Sequence, residues 1–249
     1  MRAGLFVTCL VDLLRPSVGF AALRLLEDAG CDVIVPRNQT CCGQPAYNSG
    51  RRADAKHLAK ATIEAFEDCD YIVAPSGSCA AMLRIHYPAL LADEPDWAER
   101  ATYFAARCHE LVSFLVNVRG VTSVRARCEG VAAYHDSCSA LRELGIGKEP
   151  RRLLGCVEGL TLRETGDEQC CGFGGAFCVK FPEIATRIAR DKLAAVKRTG
   201  AATILSGDLG CLLHLAGTAS REGVEISCRH VAEVLAGNLD APAIGEDES

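Results

Sequence analysis

The chain has 249 residues, 49% of them hydrophobic and 24% charged, with a formal net charge of −5. It is long enough to bury a core without covalent staples. Its acidic balance, with no Lys/Arg run beyond two residues, excludes the electrostatic footprint of a nucleic-acid or anionic-membrane binder.

Fifteen cysteines are the compositional anomaly. The count is odd, so they cannot all pair with one another, and a chain of this size has no need of disulfides. Residues 3–11 follow Arg2 as an apolar run, but it is short for a secretory segment, Thr8 is a poor residue before a cleavage site, and Asp12 and Arg15 follow at once. No run approaches the roughly 18 apolar residues of a membrane span. The expectation is a cytoplasmic protein without a direct membrane span, whose thiols stay reduced and free to bind metal.

In chain order, Leu5–Leu10 reads as a buried strand, and Phe20–Ala29 as a helix with Leu23, Leu26 and Ala29 on one face and Gly30 as its stop. Val33–Pro36 reads as a strand leading to Cys41-Cys42-Gly43, Ala53–Glu67 as a helix, and Tyr71–Pro75 as a strand running into Ser76-Gly77-Ser78-Cys79. The pattern then recurs: strand Val131–Tyr134, Cys138, Cys170-Cys171-Gly172, helix Pro182–Arg198, and strand Thr203–Leu205 before Ser206-Gly207-Asp208-Leu209-Gly210-Cys211. Cys9 precedes Cys41 by 32 residues and Cys138 precedes Cys170 by 32. One unit occurs twice.

Strands alternating with helices predict an α/β fold: two tandem, pseudo-symmetric βαβ (Rossmann-like) cysteine-rich domains with parallel sheets flanked by helices. The first spans 1–122 and the second 123–237, and 238–249 forms an acidic C-terminal tail expected to fray. Ligands of open α/β sheets gather at the carboxyl ends of strands. Cys9, Cys79, Cys138 and Cys211 fall at or just past such ends, and Cys41/Cys42 and Cys170/Cys171 in loops after another strand. Four sulfurs per half are thus placed to converge.

Soft thiolates select iron–sulfur clusters, zinc or copper(I). Structural zinc usually draws on C-x₂₋₄-C knuckles, and the candidate ligands contain none. Adjacent side chains diverge, which suits a cluster whose irons each take one sulfur, and four cysteines are the usual set for [4Fe–4S]. The expectation is two [4Fe–4S] clusters, with zinc in one half as the alternative and a structural zinc scaffold as the non-enzymatic reading. Cys31, Cys69, Cys108, Cys128, Cys156 and Cys228 read as small core residues, none recurring in the other half. Cys178 stands close enough to Cys171 to reach the second centre. Gly43 and Gly172 are expected at positive φ or where a cluster needs clearance. Gly172–Gly175 lacks the Lys-Ser/Thr of a phosphate loop, so no nucleotide site is expected. His135, His86 and His214 read as hydrogen-bonded or surface histidines, with His135-Asp136 a pair able to move a proton. No catalytic residue is assignable.

These motifs resemble the CCG or cysteine-rich domain, which runs Cys, spacer, Cys-Cys-Gly, spacer, Cys-x-x-Cys, here in duplicate over essentially the whole chain. The resemblance is to the stand-alone two-domain lactate-utilisation branch, and more distantly to the cysteine-rich component of heterodisulfide reductase and the glycolate oxidase iron–sulfur subunit. It implies the ligand sets Cys9, Cys41, Cys42, Cys79 and Cys138, Cys170, Cys171, Cys211. It also implies an iron–sulfur electron-transfer subunit of a multi-protein oxidoreductase oxidising L-lactate, a small 2-hydroxy acid, to pyruvate. Its partners would be a ferredoxin-type iron–sulfur protein B and a protein C. The alternatives are a heterodisulfide-reductase-like thiol/disulfide subunit or a quinone-side subunit of another 2-hydroxy acid oxidase. The sequence departs from the pattern where the first cysteine of each Cys-x-x-Cys is Ser76 in one half and Asp208 in the other, which argues for ordinary cubane clusters and against disulfide reduction.

Overall fold

The computed structural model describes residues 1–166 and 169–246. The first half builds a sheet from β1 (Arg2–Leu5), β2 (Asp32–Ile34), β3 (Tyr71–Ala74) and β4 (Cys108–Glu110), in the order β2-β1-β3-β4. The second repeats it with β5 (Arg127–Tyr134), β6 (Glu158–Arg163), β7 (Thr203–Ser206) and β8 (Ser227–His230), in the order β6-β5-β7-β8. Every pairing is parallel. The registers match: Gly4 sits beside Ile72 and Ile72 beside Cys108, as Ala133 sits beside Ile204 and Ile204 beside Cys228. Cys108 and Cys228 are therefore equivalent, and the expectation that no core thiol recurs is corrected.

Helices Pro16–Asp28 and Pro182–Arg198 show why the sequence folds this way. Each starts on a proline, whose fixed φ and missing N–H suit a first turn. The former buries Val18, Ala21, Ala22, Leu25 and Leu26 and the latter Ala185, Ala189, Leu193 and Val196, the spacing of one helical face. The first begins earlier than the apolar pattern indicates and turns Leu23 only half inward. Strand β1 ends at Leu5 rather than Leu10, because Thr8 caps a helix over Cys9–Leu14 and accepts the Val11 N–H.

Helix Pro16–Asp28 packs on Val231–Leu235 of the second half, and Lys148–Leu154 on Leu111–Ser113 of the first, a reciprocal arrangement. One apolar core consequently runs through both halves. Of the expected core cysteines, Cys31, Cys69, Cys108 and Cys228 are buried, Cys128 is half-buried, and Cys156 is exposed with its thiol directed at the Thr122 and Arg152 carbonyls. Residues 238–246 pack against the second half. Ala243 and Ile244 are buried, Ile244 N donates to the Cys228 carbonyl at 2.8 Å, and Arg15 Nη2 donates to the Pro242 carbonyl at 2.7 Å. The last three residues of the expected tail, 247–249, lie outside the described residues. Among the described residues no helix is long and apolar enough to cross a membrane.

Where the halves meet, buried polar contacts join the apolar ones. Asp208 accepts from Ser76 Oγ at 2.9 Å, from Ser78 N at 2.9 Å and from Ser78 Oγ at 2.7 Å. Glu233, fully buried, accepts from Arg15 Nε at 2.9 Å and Ser17 Oγ at 2.7 Å. Glu110 and His230 end β4 and β8 at equivalent positions and cap the helices that follow. Burial pushes the Glu110 carboxyl up to about 7, with Asp208 and Glu149 adding to the rise.

Asp208→Ala removes the shared acceptor and strands a backbone N–H and two hydroxyls inside the contact. The expected cost in urea unfolding of the metal-free chain is about 2–3 kcal/mol; a loss under about 0.5 kcal/mol would mean that water replaces the carboxylate. Glu110 adds a pH dependence. Its folded pKa lies above its unfolded value, so its stabilising contribution is complete below the ordinary glutamate range and fades as pH rises through about 7. At about 1.4 kcal/mol per pKa unit, the wild type should lose up to about 3 kcal/mol relative to Glu110→Gln across that window. Parallel stability–pH curves for the two proteins would contradict the assignment.

Candidate metal centres

A parallel sheet ends all its strands on one edge, and in each half that edge carries four cysteines. In the first, Cys9 opens the helix after β1, Cys41 and Cys42 lie in the loop after β2, and Cys79 lies in the helix Gly77–Ala81 after β3. In the second, Cys138 follows β5, Cys170 and Cys171 follow β6, and Cys211 lies in the helix Leu209–Glu222 after β7.

Local backbone geometry aims these thiols. Thr8, just before Cys9, has φ +70 and is the one non-glycine residue with positive φ among those described. For a β-branched residue this is an outlier costing about 1–3 kcal/mol, and it turns the chain from strand into helix at the first cysteine. Gly43 and Gly172 have φ +82 and +89, as expected, and their N–H groups point at Cys41 Sγ (3.4 Å) and Cys170 Sγ (3.3 Å). At Gly172 a Cβ would stand 2.4 Å from the Ala185 carbonyl oxygen, so only glycine fits. Ser76 caps the Cys79 helix through the Cys79 N–H at 3.2 Å, and Tyr87 Oη donates to the Cys42 carbonyl at 2.9 Å.

The sulfurs meet. Cys42 Sγ lies 3.4 Å from Cys79 Sγ. Contact with Cys42 and Cys9 holds the Cys41 thiol far below the ordinary range, while Cys9, through Cys41, and Cys42, through Cys41 and Cys79, are pushed up. The second half repeats this: Cys170 is lowered by Cys138 and Cys171, whereas Cys138 and Cys171 are raised by Cys170. Cys211 is lowered by Cys171 and then by His135. Thiols packed this closely ionise one at a time, because each added charge opposes the next. A cation among them would let all four ionise together.

Two adjoining cavities hold these groups. One of about 200 Å³ is lined by Cys9, Cys41, Cys42 and Cys79, and one of about 150 Å³ by Cys138, Cys170, Cys171 and Cys211. Gln44, Asn48, Ser78, Phe173, Gly175 and Asp208 line both. Sequence reasoning did not single out Gln44, Asn48 or Ser78. The signal for the Ser76–Asp208 contact was present, since both residues replace the same cysteine of the family pattern.

Other expectations sort clearly. The Cys178 thiol donates to the Gly175 carbonyl at 3.2 Å, a local contact rather than one with the cluster of thiols. His86 pairs with Glu143 across the halves at 2.7 Å, and His214 Nε2 lies 3.3 Å from the Ala185 carbonyl. The proton-moving pair His135-Asp136 is not formed: Asp136 takes a two-pronged ion pair from Arg151 at 2.8 and 2.7 Å. His135 itself is buried, with no hydrogen-bond partner at either ring nitrogen. One of its nitrogens and the sulfurs of Cys171 and Cys211 all lie within 4.8 Å of one another.

Comparison with known proteins agrees with this architecture. The cysteine-rich domain family (CCG) matches residues 3–84 and 132–216. Lactate utilization protein A of Bacillus subtilis (strain 168) is 46% identical over 94% of this chain and 99% of its own length. Lactate utilization protein A 1 of Bacillus cereus (strain AH820) is 47% identical over 94% of this chain and 98% of its own. Among solved structures, a sugar ABC transport substrate-binding protein from Bordetella parapertussis 12822 aligns over 92% of this chain and 68% of that one, at 11% identity and a TM-score of 0.29, too loosely to inform function. With both cysteine units matched and close relatives aligned nearly end to end, the chain belongs to the cysteine-rich CCG domain family, among the proteins called lactate utilization protein A.

Proposed function

We propose that each half holds an iron–sulfur cluster, on Cys9, Cys41, Cys42 and Cys79 and on Cys138, Cys170, Cys171 and Cys211, and that the chain is the electron-transfer subunit of a complex oxidising L-lactate to pyruvate. The observation that carries this reading is the convergence of four thiols from three loops on one cavity, twice. The donors are soft and thiolate-forming, and the depressed Cys41 and Cys170 already favour the ionised form that metal binding requires. A bound cluster would supply one-electron transfer. The protein's own part is to hold eight thiolates and screen them from water, with Gly43 and Gly172 giving backbone N–H groups to the sulfurs.

The lactate assignment follows the names of the relatives. Lactate oxidation releases two electrons, and clusters that take one each normally need a flavin or partner clusters to receive them. A ferredoxin-type iron–sulfur protein B and a protein C are the proposed partners. A second reading has one specific support: His135, Cys171 and Cys211 lie close enough together for a single zinc ion in the second half.

Cys41→Ser and Cys170→Ser should each remove about half of the iron from anaerobically purified protein, on the rule of four thiolates per cluster. Cys69→Ala should leave it intact. Stoichiometric zinc in place of iron would replace the first reading with the second. The purified single chain should oxidise lactate poorly or not at all, and activity should appear when both partners are added. Deleting the gene should abolish growth on lactate and spare growth on pyruvate. Robust lactate oxidation by the chain alone would overturn the electron-transfer role, and normal growth of a deletion strain lacking any other lactate dehydrogenase would overturn the substrate.

A further inference from the structure

The two centres are not copies of each other. Phe6 and His135 occupy the same point in the repeat, one residue past β1 and β5, and their N–H groups make the same bond, to the Val73 carbonyl at 2.9 Å and the Leu205 carbonyl at 2.7 Å. Phe6 is fully buried and its ring meets Phe66 at 5.8 Å. His135 is equally enclosed, 1% exposed, yet it carries two ring nitrogens that find no partner in the protein. Filling space does not require an imidazole, since the first half fills that point with a phenyl ring. Asp136 does not serve the imidazole, and its two carboxylate oxygens accept from Arg151. One of the His135 ring nitrogens forms a group with Cys171 Sγ and Cys211 Sγ, the three atoms spanning no more than 4.8 Å.

A buried donor demands an acceptor. A neutral imidazole has one N–H to give, and a thiolate carrying the negative charge of a cluster is a strong acceptor. We propose that His135 donates this hydrogen bond to the sulfur of Cys211 and so makes the second centre more easily reduced than the first; this rests on the cluster reading above. Reduction adds one negative charge, and an N–H dipole aimed at the ligating sulfur stabilises the reduced form more than the oxidised one, the more so in a dry, weakly screening interior. Phe6 offers the first centre no such donor. The two cavities share walls, including Ser78 and Asp208, so the centres adjoin. With a cluster bound in each half, an electron on the first would pass to the second, the first being oxidised by one electron and the second reduced by one, with no other reagent consumed. The second half becomes the exit side of the chain. His135 acts through Cys211 as a positioning residue and touches no substrate.

The test is a dye-mediated redox titration of the anaerobically purified full chain, followed by electron paramagnetic resonance alongside iron analysis. Wild type should show two midpoint potentials. His135→Phe should keep the full iron content and shift the higher potential down towards the lower one, and His135→Gln, which restores an N–H donor, should recover part of the shift. Unchanged potentials in an iron-replete His135→Phe protein would overturn the proposal. So would loss of half the iron that Gln does not restore, which would make the imidazole a ligand. Should the variants fail to fold, wild type grown on nitrogen-15 histidine supplies the answer. A weak nitrogen coupling confined to one centre is expected, and either no coupling or the strong coupling of a directly bound nitrogen would refute the hydrogen bond. Wild type that takes up no iron would overturn the cluster reading itself, whereas iron-replete wild type with an insensitive His135 overturns this inference alone.

Discussion

The constraint on which the structure depends is that every strand of each sheet runs the same way. Parallel strands deliver all their outgoing loops to one edge, so three separate loops of each half bring four thiols to one place without any long excursion. The sheet also limits what those loops can be. Thr8 turns the chain from β1 into a helix within a few residues, and Gly43 and Gly172 bend the longer loops after β2 and β6 at the paired cysteines. The one non-glycine residue with positive φ among those described, Thr8, and the glycines Gly43 and Gly172 thus stand beside the cysteines.

The second consequence is electrostatic. Bringing four thiols into contact raises the cost of ionising them together, which is why Cys41 and Cys170 fall while Cys42 and Cys171 rise. A site that is awkward for free thiolates suits a multivalent cationic core. The same packing that frustrates the metal-free thiols organises them for ligation. The buried carboxylate that lines both cavities, Asp208, is tied instead into a contact between the halves, so its hard oxygen donors are kept occupied and the soft sulfurs remain the available ligands.

Much of this was legible in the sequence because a duplication writes every signal twice. The spacing Cys9 to Cys41 and Cys138 to Cys170, the two Cys-Cys-Gly loops and helix Pro182–Arg198 all read directly as structure. What escaped has identifiable reasons. Strands β4 and β8 are three and four residues long and carry His109, Glu110, Arg229 and His230, so no apolar run marks them, and the equivalence of Cys108 and Cys228 was hidden with them. Cys156 was placed inside on residue type alone, although the helix ends there and leaves it exposed. Residues 238–246 look like an acidic tail, yet Ala243 and Ile244 give them an apolar foothold against β8. The isolation of His135 from Asp136 depends on Arg151, fifteen residues away, and no local pattern reveals that.

The places where the halves differ fit each other across the contact between them. Ser76 and Asp208 are equivalent positions that meet each other at the pseudo-twofold contact. In a symmetric pair of first halves, hydroxyl would face hydroxyl there, and the three hydrogen bonds that converge on one carboxylate would be lost. In a symmetric pair of second halves, carboxylate would face carboxylate in a buried setting, and one of them would have to take up a proton or the contact would open. The unlike halves give the buried carboxylate its donors and the hydroxyls a shared acceptor. Arg15 with Glu233 acts in the same sense, since it joins the entry of a first-half helix to the cap of a second-half helix. Once such contacts enforce the unlike pairing, each half is free to diverge around its own cysteines, with Phe6 filling a point in one and His135 adding a donor in the other. Two chemically distinct centres at a fixed separation are then available from one repeated fold, which a homodimer of identical units would not provide.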